Sequence, residues 1–142
     1  MTDDIAAITA LLNEYAQRLD AGDLDGVAEL FAAAEVSSTR HDRVLRGTAE
    51  VRTVYDPVIL YDDGTPGTVH QLTNVTIEVD DNGTAARSRC YFTVLQVTGQ
   101  GLHPILAGEY RDEFARVGGV WCFTAREFAP MLFGDLSRHM RS

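Results

Sequence analysis

The sequence predicts an α+β fold in which helices pack on one face of a strongly curved, mixed and mostly antiparallel sheet. Three observations lead to this class. Apolar residues recur at helical spacing in the first sixty positions, at strand spacing after position 68, and turn dipeptides separate the strands. Helices followed by an antiparallel meander are typical of α+β domains. Such a layered arrangement forms a cone-shaped α+β barrel with an apolar pocket between sheet and helices.

The first predicted helix begins at Asp3 or Asp4, either of which can cap its amino end. Its apolar residues step by three and four positions, so that they form one stripe. Ala21-Gly22 then breaks the helix. The stripe consists of Ile5, Ile8, Leu12, Tyr15 and Leu19.

Two shorter helices are predicted after this break, separated by a polar stretch. Asp23 can cap the second helix, Gly47-Thr48 opens the third, and Pro57 ends it. The stretch 35–46 between them predicts a short strand or a hairpin. The inward positions are Leu24, Val27, Leu30 and Phe31 in the second helix, and Val51, Val54 and Tyr55 in the third.

Four strands are predicted in the second half of the chain. Asp81-Asn82-Gly83 and Gly118-Gly119 are turn signals, and a link rich in Gly and Pro covers residues 99–104. Residues 130–142 are expected to form a short helix or a tail. The predicted strands are Val69–Val79, Ala86–Thr98, Leu106–Val117 and Val120–Phe128.

Composition limits the functions that this chain can have. Its 142 residues fit a single domain over positions 1–142, and a formal net charge of −9 argues against nucleic acid and anionic membranes as partners. Cys90 and Cys122 lie in apolar segments, as expected of core residues in a reducing compartment. The sequence shows neither a signal peptide nor an apolar run long enough to span a bilayer, so we expect a soluble cytoplasmic protein. Its Cys and His residues lack zinc-type spacing, so we expect no metal site.

His70 is the main candidate for chemistry, because it interrupts a strand-like run with a titratable ring. It begins a strand that must face the helices, its flanking aliphatic residues predict a dry neighbourhood, and a neutral imidazole there is a competent general base near pH 7. The alternative is an ordinary core or surface histidine. His41, His103 and His139 are weaker candidates, since they lie in charged, Gly/Pro-containing or tail segments.

Tyr15 and Asp20 are the candidate partners of His70. A carboxylate bonded to one ring nitrogen fixes the tautomer and stabilises the imidazolium, and a phenol can polarise a carbonyl or protonate a leaving group. Five residues are about 140° apart on a helix, so the two do not share a face. They converge only if both flank a pocket mouth or if the helix distorts at Ala21-Gly22.

The remaining candidates are pocket-wall residues that would contact a substrate. Asn74 has the same parity as His70 on an extended strand, whereas Val75 and the aliphatic residues after it have the opposite parity. Either a bulge lies between the two sets, or the two faces serve different neighbours. Arg126 can instead form a structural ion pair with Glu109 or Asp112. The predicted substrate-contacting residues are Phe31, Tyr55, Asn74, Tyr110 and Arg126.

Four stretches together resemble the SnoaL-like family of the nuclear transport factor 2-like superfamily over nearly the whole chain. They are LLNEYAQRLDAGDLDGVAELF, GTAEVRTVY, TVHQLTNVTIEVDDNGTAARSRCYFTV and AGEYRDEFARVGGVWCFTAREF. The resemblance implies a cone of three helices wrapped by a bent mixed sheet around a deep apolar pocket.

The resemblance also implies a chemistry, because one branch of the superfamily contains scytalone dehydratase and bile acid 7α-dehydratase. Those enzymes use a His–Asp pair without cofactor or metal, and Asp20 and His70 fall at the corresponding places. Tyr15 matches the tyrosine of the dehydratases, and Arg126 is comparable to the arginine of a related dehydrochlorinase. The second histidine of scytalone dehydratase has no evident match. Asp112 could imitate an acid of the steroid Δ5-isomerases.

These observations predict a cofactor-independent lyase or isomerase that acts on an apolar small molecule, such as a steroid or polyketide. His70 would take a proton, Asp20 would orient His70, and Tyr15 would bind the oxygen that gains charge or leaves. The alternatives are a non-catalytic ligand-binding or assembly module and a polyketide cyclase, since this fold does not by itself imply an enzyme. Exposed apolar residues on the outer sheet face predict a homo-oligomer, either a dimer or a trimer.

Overall fold

A computed structural model describes residues 3–142, and within this range helices cover one face of a six-stranded sheet. The strand order is β2-β1-β6-β5-β4-β3. The elements are α1 (Asp4–Asp20), α2 (Leu24–Glu29), β1 (Glu35–Ser38), β2 (His41–Arg46), α3 (Gly47–Arg52), a 3₁₀ helix (Thr53–Tyr55), β3 (Thr68–Val79), β4 (Ala85–Thr98), β5 (Gly101–Val117) and β6 (Val120–Phe133).

The sheet is mixed and mostly antiparallel, which confirms the predicted α+β class. β1 runs parallel to β6, and all other neighbouring strands are antiparallel. The sheet is open, because β2 and β3 form its edges and do not pair with each other. No helix within residues 3–142 is both long and apolar enough to cross a membrane.

The first helix follows its sequence signals closely. The Asp3 carboxylate accepts a hydrogen bond from the backbone N–H of Ala6 at 3.0 Å, so Asp3 is the cap. Four of the five predicted stripe residues are buried. Ile5 is the exception, with 46% of its surface exposed, because it lies in the first turn, outside the hydrophobic core.

The two short helices and the hairpin between them also occur as predicted. Asp23 caps α2 by accepting a bond from the Gly26 N–H at 2.9 Å, and residues 35–46 form the β1–β2 hairpin. The third helix leaves α-helical geometry at Arg52 and continues as the 3₁₀ helix before Pro57. Val54 was expected to face the core, but it does not. It lies at the rim of a cavity and is 38% exposed.

β5 and β6 extend beyond their predicted ends, through segments that contain proline. β5 begins at Gly101 rather than at Leu106, and β6 continues past Pro130 to Phe133, where a tail or helix was expected. Pro104 and Pro130 both lie beside register shifts, where a missing N–H does not interrupt the ladder.

A bulge in β3 explains the change of parity in this strand. Asn74 and Val75 together stand opposite Cys90, and Asn74 has a φ of 54°, a left-handed conformation that Asn tolerates. The bulge returns the later aliphatic residues to the face that His70 occupies. Ile77 therefore packs against the core without lining the cavity that His70 lines.

Gly22 is expected to be irreplaceable in the turn that follows α1. A Cβ atom at Gly22 would lie 2.0 Å from the carbonyl oxygen of Gly64, and the backbone has a φ of 78°. Gly119 is a matched control, since its φ is 81° and a Cβ there meets nothing within 4 Å. We expect Gly119→Ala to lower the free energy of unfolding by about 1–2 kcal/mol, the cost of the left-handed conformation. Gly22→Ala should cost at least ~1 kcal/mol more.

Urea unfolding of the two variants measures this difference. Equal losses would mean that the contact with Gly64 does not constrain the turn.

Candidate active site

A cavity of about 280 Å³ lies between the helices and the inner face of the sheet. Most of its wall is aliphatic or aromatic, with a few polar groups, as is typical of small-molecule sites. Its polar lining consists of Tyr15, Ser37, Ser38, His41, Tyr55, His70, Tyr110, Arg126 and His139. Its apolar lining consists of Leu19, Val36, Leu45, Val54, Val58, Phe92, Val94, Leu106, Phe128, Pro130, Phe133, Leu136 and Met140.

Asp20 binds His70 through both the backbone and the ring. The His70 Nδ1 lies 2.7 Å from the Asp20 Oδ1, and the His70 backbone N–H donates to both carboxylate oxygens at 3.1 and 3.0 Å. This N–H is free because β3 is an edge strand, so no further strand competes for it. The carboxylate therefore fixes the position of the strand and the orientation of the ring together.

Asp20 occupies a position that is electrostatically unfavourable without a partner. It is the last residue of α1, where the negative end of the helix dipole disfavours a carboxylate. The hydrogen bonds from His70 offset this cost and direct Nδ1–H at Asp20. Only 5% of the His70 side chain is exposed, and the ring lines the cavity. Its second nitrogen, Nε2, is thus left as an acceptor for a ligand.

Three tyrosine hydroxyls form a hydrogen-bonded cluster in the same cavity. The Tyr55 hydroxyl donates to the Tyr15 hydroxyl at 3.3 Å, and the Tyr15 hydroxyl shares a second bond with Tyr110 at 3.3 Å. Three hydroxyl protons serve two hydrogen bonds, so one O–H remains free on either Tyr15 or Tyr110. The cluster can therefore donate one hydrogen bond to a ligand.

Tyr55 and Tyr110 remain protonated at neutral pH. Burial, reinforced by the neighbouring Tyr15, raises the pKa of Tyr55 well above its usual value of 10.0. Burial, reinforced by the neighbouring Tyr15, also raises the pKa of Tyr110 well above that value, against the opposing effect of Arg126. The cluster is consequently a neutral donor, suited to an oxygen that gains negative charge.

Arg126 packs its guanidinium against the rings of this cluster. Its Cζ lies 3.9 Å from the Tyr110 ring centroid and 4.1 Å from that of Tyr15. Asp112 binds it through two parallel hydrogen bonds of 2.7 and 3.0 Å. Burial lowers the pKa of Arg126, but the charge of Asp112 outweighs this effect and raises it. Of the two acids that the sequence offered as ion-pair partners of Arg126, Asp112 is therefore the one that pairs with it. Glu109 binds other arginines.

Residues 1–127 match the model of the SnoaL-like domain. The chain belongs to the SnoaL-like domain family. No curated protein matches the chain.

Solved structures place this SnoaL-like domain among proteins of the NTF2-like, cystatin-like fold. An NTF2-like protein from Novosphingobium aromaticivorans is 23% identical, with a TM-score of 0.75 over 95% of this chain and 86% of that one. A second protein from this organism, provisionally described as a scytalone dehydratase, is 24% identical, with a TM-score of 0.73 over 93% and 87%. A Mycobacterium tuberculosis protein of unknown function is 25% identical, with a TM-score of 0.73 over 90% and 72%.

The predicted residues reach the cavity of this SnoaL-like domain by different routes. Tyr15 lines the cavity directly, whereas Asp20 does not line it and contributes through His70. No distortion of α1 is required, since α1 continues to Asp20 and β3 brings His70 to the carboxylate. Tyr55, Tyr110 and Arg126 line the cavity as expected.

Two of the predicted substrate-contacting residues do not line the cavity. Phe31 is fully buried behind the wall, where its ring packs against Tyr15 in a T-shaped arrangement at a centroid distance of 5.9 Å. Asn74 is exposed at the β3 bulge, because the bulge interrupts the alternation that would have aligned it with His70. Neither side chain is therefore placed to contact a ligand in this cavity.

Two histidines that the sequence made weaker candidates, His41 and His139, line the cavity, and His139 is the one beside His70. It was assigned to a tail, yet its ring lines the cavity at a centroid distance of 6.3 Å from the His70 ring. The one available signal was its position between Leu136 and Met140, whose spacing predicts an apolar face in this segment.

Among residues 3–142, no group of three or more His, Cys, Asp or Glu side chains could hold a metal ion.

His139 is expected to make this SnoaL-like domain less stable in acid. Burial, together with His70, lowers the pKa of His139 from 6.5 to about 4, against the smaller effect of Asp20. Between these values the unfolded chain binds a proton that the folded chain excludes. Stability should therefore fall as the pH drops from 6.5 to 4, by on the order of 2–3 kcal/mol.

Chemical denaturation of the wild type and His139→Gln at several pH values measures this contribution. The variant should lose less stability over that range. Identical slopes of unfolding free energy against pH would contradict the assignment.

Proposed function

We propose that this protein is a cofactor-independent lyase or isomerase of the dehydratase type. The observation that carries the proposal is the 2.7 Å bond between the His70 Nδ1 and Asp20, with the ring facing an apolar cavity. A neutral imidazole oriented by a carboxylate is a competent general base near neutral pH. The neighbouring tyrosine cluster adds a neutral donor for developing negative charge.

The reaction begins when the His70 Nε2 takes a proton from the carbon next to a carbonyl of the substrate. The C–H electron pair moves toward the carbonyl, whose oxygen gains negative charge. This oxygen accepts a hydrogen bond from the free O–H of Tyr15 or Tyr110. Asp20 stabilises the imidazolium that forms. The carbonyl then re-forms in one of two ways. In a β-hydroxy ketone the enolate pair forms the new double bond as the β C–O bond breaks, and the hydroxyl takes the imidazolium proton and leaves as water. In a β,γ-unsaturated ketone the dienolate takes the proton back at the γ-carbon, which shifts the double bond into conjugation. The product is accordingly an alkene or an isomer with a shifted double bond.

The substrate we propose is an apolar, oxygen-bearing small molecule of steroid or polyketide type. The mostly aliphatic and aromatic lining favours such a molecule over a charged one. The provisional description of one fold relative as a scytalone dehydratase agrees with this class by analogy alone.

Proton exchange in D₂O tests the proposal without knowledge of the natural substrate. We expect the protein to accelerate replacement of the α-protons of 1-indanone or 2-indanone by deuterium, followed by proton NMR. His103→Ala is the matched control, because His103 does not line the cavity and its ring bonds to the Gln100 carbonyl. This variant should exchange like the wild type. Binding of the ketones without accelerated exchange would contradict the proposal and favour a non-catalytic binding module.

We also propose that the protein forms a homo-oligomer through exposed apolar residues. Val97 and Leu102 face each other across the β4–β5 hairpin with 71% and 66% of their surfaces exposed, and Leu132 in β6 is 68% exposed. Sedimentation velocity should therefore give the mass of a dimer or trimer. A monomer at micromolar concentration would contradict this expectation.

A further inference from the structure

The backbone around His139 is fixed by contacts with the loop that follows α3. The Ile59 N–H donates to the His139 carbonyl at 2.8 Å, and the Arg141 N–H donates to the Pro57 carbonyl at 2.8 Å. An isolated bridge joins Val58 to Met140. These contacts fix the backbone of residues 139–141, and His139 and Met140 from this segment line the cavity.

The side chain of His139, in contrast, has no partner among the described residues. Its Nδ1 is buried and makes no hydrogen bond, and its Nε2 makes none either. Buried polar groups are nearly always hydrogen-bonded in folded proteins, so an unpartnered ring at a cavity requires an explanation. Only Nδ1 is closed to solvent, whereas Nε2 keeps accessible surface where the ring meets the cavity.

The protonation of the ring follows from these surroundings. Burial keeps the pKa of His139 at about 4, so the ring is neutral at pH 7. A proton on Nδ1 would leave a buried N–H donor without an acceptor. In folded proteins such a donor is rarer and costlier than a buried acceptor without a donor. A proton on Nε2 leaves only a lone pair unmet and places a donor where the ring meets the cavity.

We propose that His139 is a ligand-contacting, specificity-determining residue that donates a hydrogen bond from Nε2–H to an oxygen of the bound molecule. The inference deepens the proposed function, since it adds a donor next to the base. The rings of His70 and His139 do not bond to each other, and both line the same cavity with their centroids 6.3 Å apart, so one ligand can contact both rings. The cavity would thus select apolar molecules that carry an oxygen close to the carbon that loses its proton.

The ring protonation can be measured without any ligand. Long-range ¹H–¹⁵N correlation spectra of histidine-labelled protein at pH 7 report which nitrogen carries the proton, and His139→Gln assigns the signals. We expect the Nε2–H form at His139 and the Nδ1–H form at His70. A proton on Nδ1 of His139, or a charged ring, would overturn the inference.

Binding of matched probes then tests recognition of the oxygen. Indane, 1-indanone and 2-indanone differ by one oxygen, and their affinities follow from NMR titration. We expect a ketone to bind the wild type more tightly than indane. His139→Phe should weaken ketone binding about 3- to 10-fold, the size of one hydrogen bond, while indane affinity stays unchanged. His139→Gln, which keeps an N–H donor, should recover part of the ketone affinity.

Two results would overturn the inference on recognition. One is a wild type that binds neither ketone more tightly than indane. The other is a His139→Phe variant that changes ketone and indane affinity equally or changes neither, as a purely structural ring would. None of these measurements involves turnover, so the inference can stand when ketone exchange fails, and exchange can succeed when the inference fails.

Discussion

Asp20→Asn should slow the exchange of 1-indanone α-protons about 10²- to 10⁴-fold, the range that a positioned acid–base group contributes. The amide keeps the size of the side chain but removes the charge that stabilises the His70 imidazolium. Its NH₂ group can also donate to the His70 Nδ1, which would move the ring proton to Nε2 and remove the acceptor from the cavity. The rate should therefore fall although the residues that line the cavity are unchanged.

Asp25→Asn is the matched control for this substitution. The Asp25 side chain is 86% exposed in α2 and does not line the cavity, so its loss of charge should leave exchange unchanged. Titration with 1-indanone should give similar affinities for the wild type and Asp20→Asn. A rate within threefold of the wild type in Asp20→Asn would show that the carboxylate does not support the base.

Asp112→Asn is expected to lower the free energy of unfolding by about 3–5 kcal/mol. Both members of the Asp112–Arg126 pair are almost fully buried, with side-chain exposures of 0% and 3%. The amide would leave the guanidinium without a counter-charge in a low-dielectric interior and place its own N–H donors against those of Arg126. Burial of an unpaired charge is among the costliest single defects in a folded protein.

An exposed ion pair supplies the control for this prediction. Arg87 and Glu78 pair on the surface with exposures of 70% and 68%, so Glu78→Gln should cost less than about 1 kcal/mol. The double variant Asp112→Leu/Arg126→Met removes both charges and should lose less stability than Asp112→Asn. Urea unfolding of the variants tests these values. A loss in Asp112→Asn as small as that in Glu78→Gln would contradict the account of Arg126.

The parts of the site that were predictable from sequence are those that local signals encode. Asp3 and Asp23 cap helices because a carboxylate before a helical run has one favourable geometry. His70 could be identified because it breaks the alternation of an otherwise ordinary strand. Tyr15 could be placed because it lies on an apolar stripe of helical period.

The parts that were not predictable depend on contacts between distant segments. His139 lines the cavity only because residues 57–59 hold its backbone, and nothing within residues 130–142 encodes that contact. Asn74 was misplaced because a bulge shifts parity in a strand by one residue. Phe31 was expected in the cavity wall, but sequence period identifies burial and does not separate the wall from the layer behind it.

Imidazole rescue of His70→Ala tests the central claim most directly, because it asks whether the His70 ring is the base. We predict that His70→Ala loses the accelerated exchange of 1-indanone α-protons and that added imidazole restores part of it with saturation. The wild type and Asp20→Asn should not respond, since both retain the ring. Exchange by His70→Ala at the wild-type rate without imidazole would contradict the claim that His70 takes the proton.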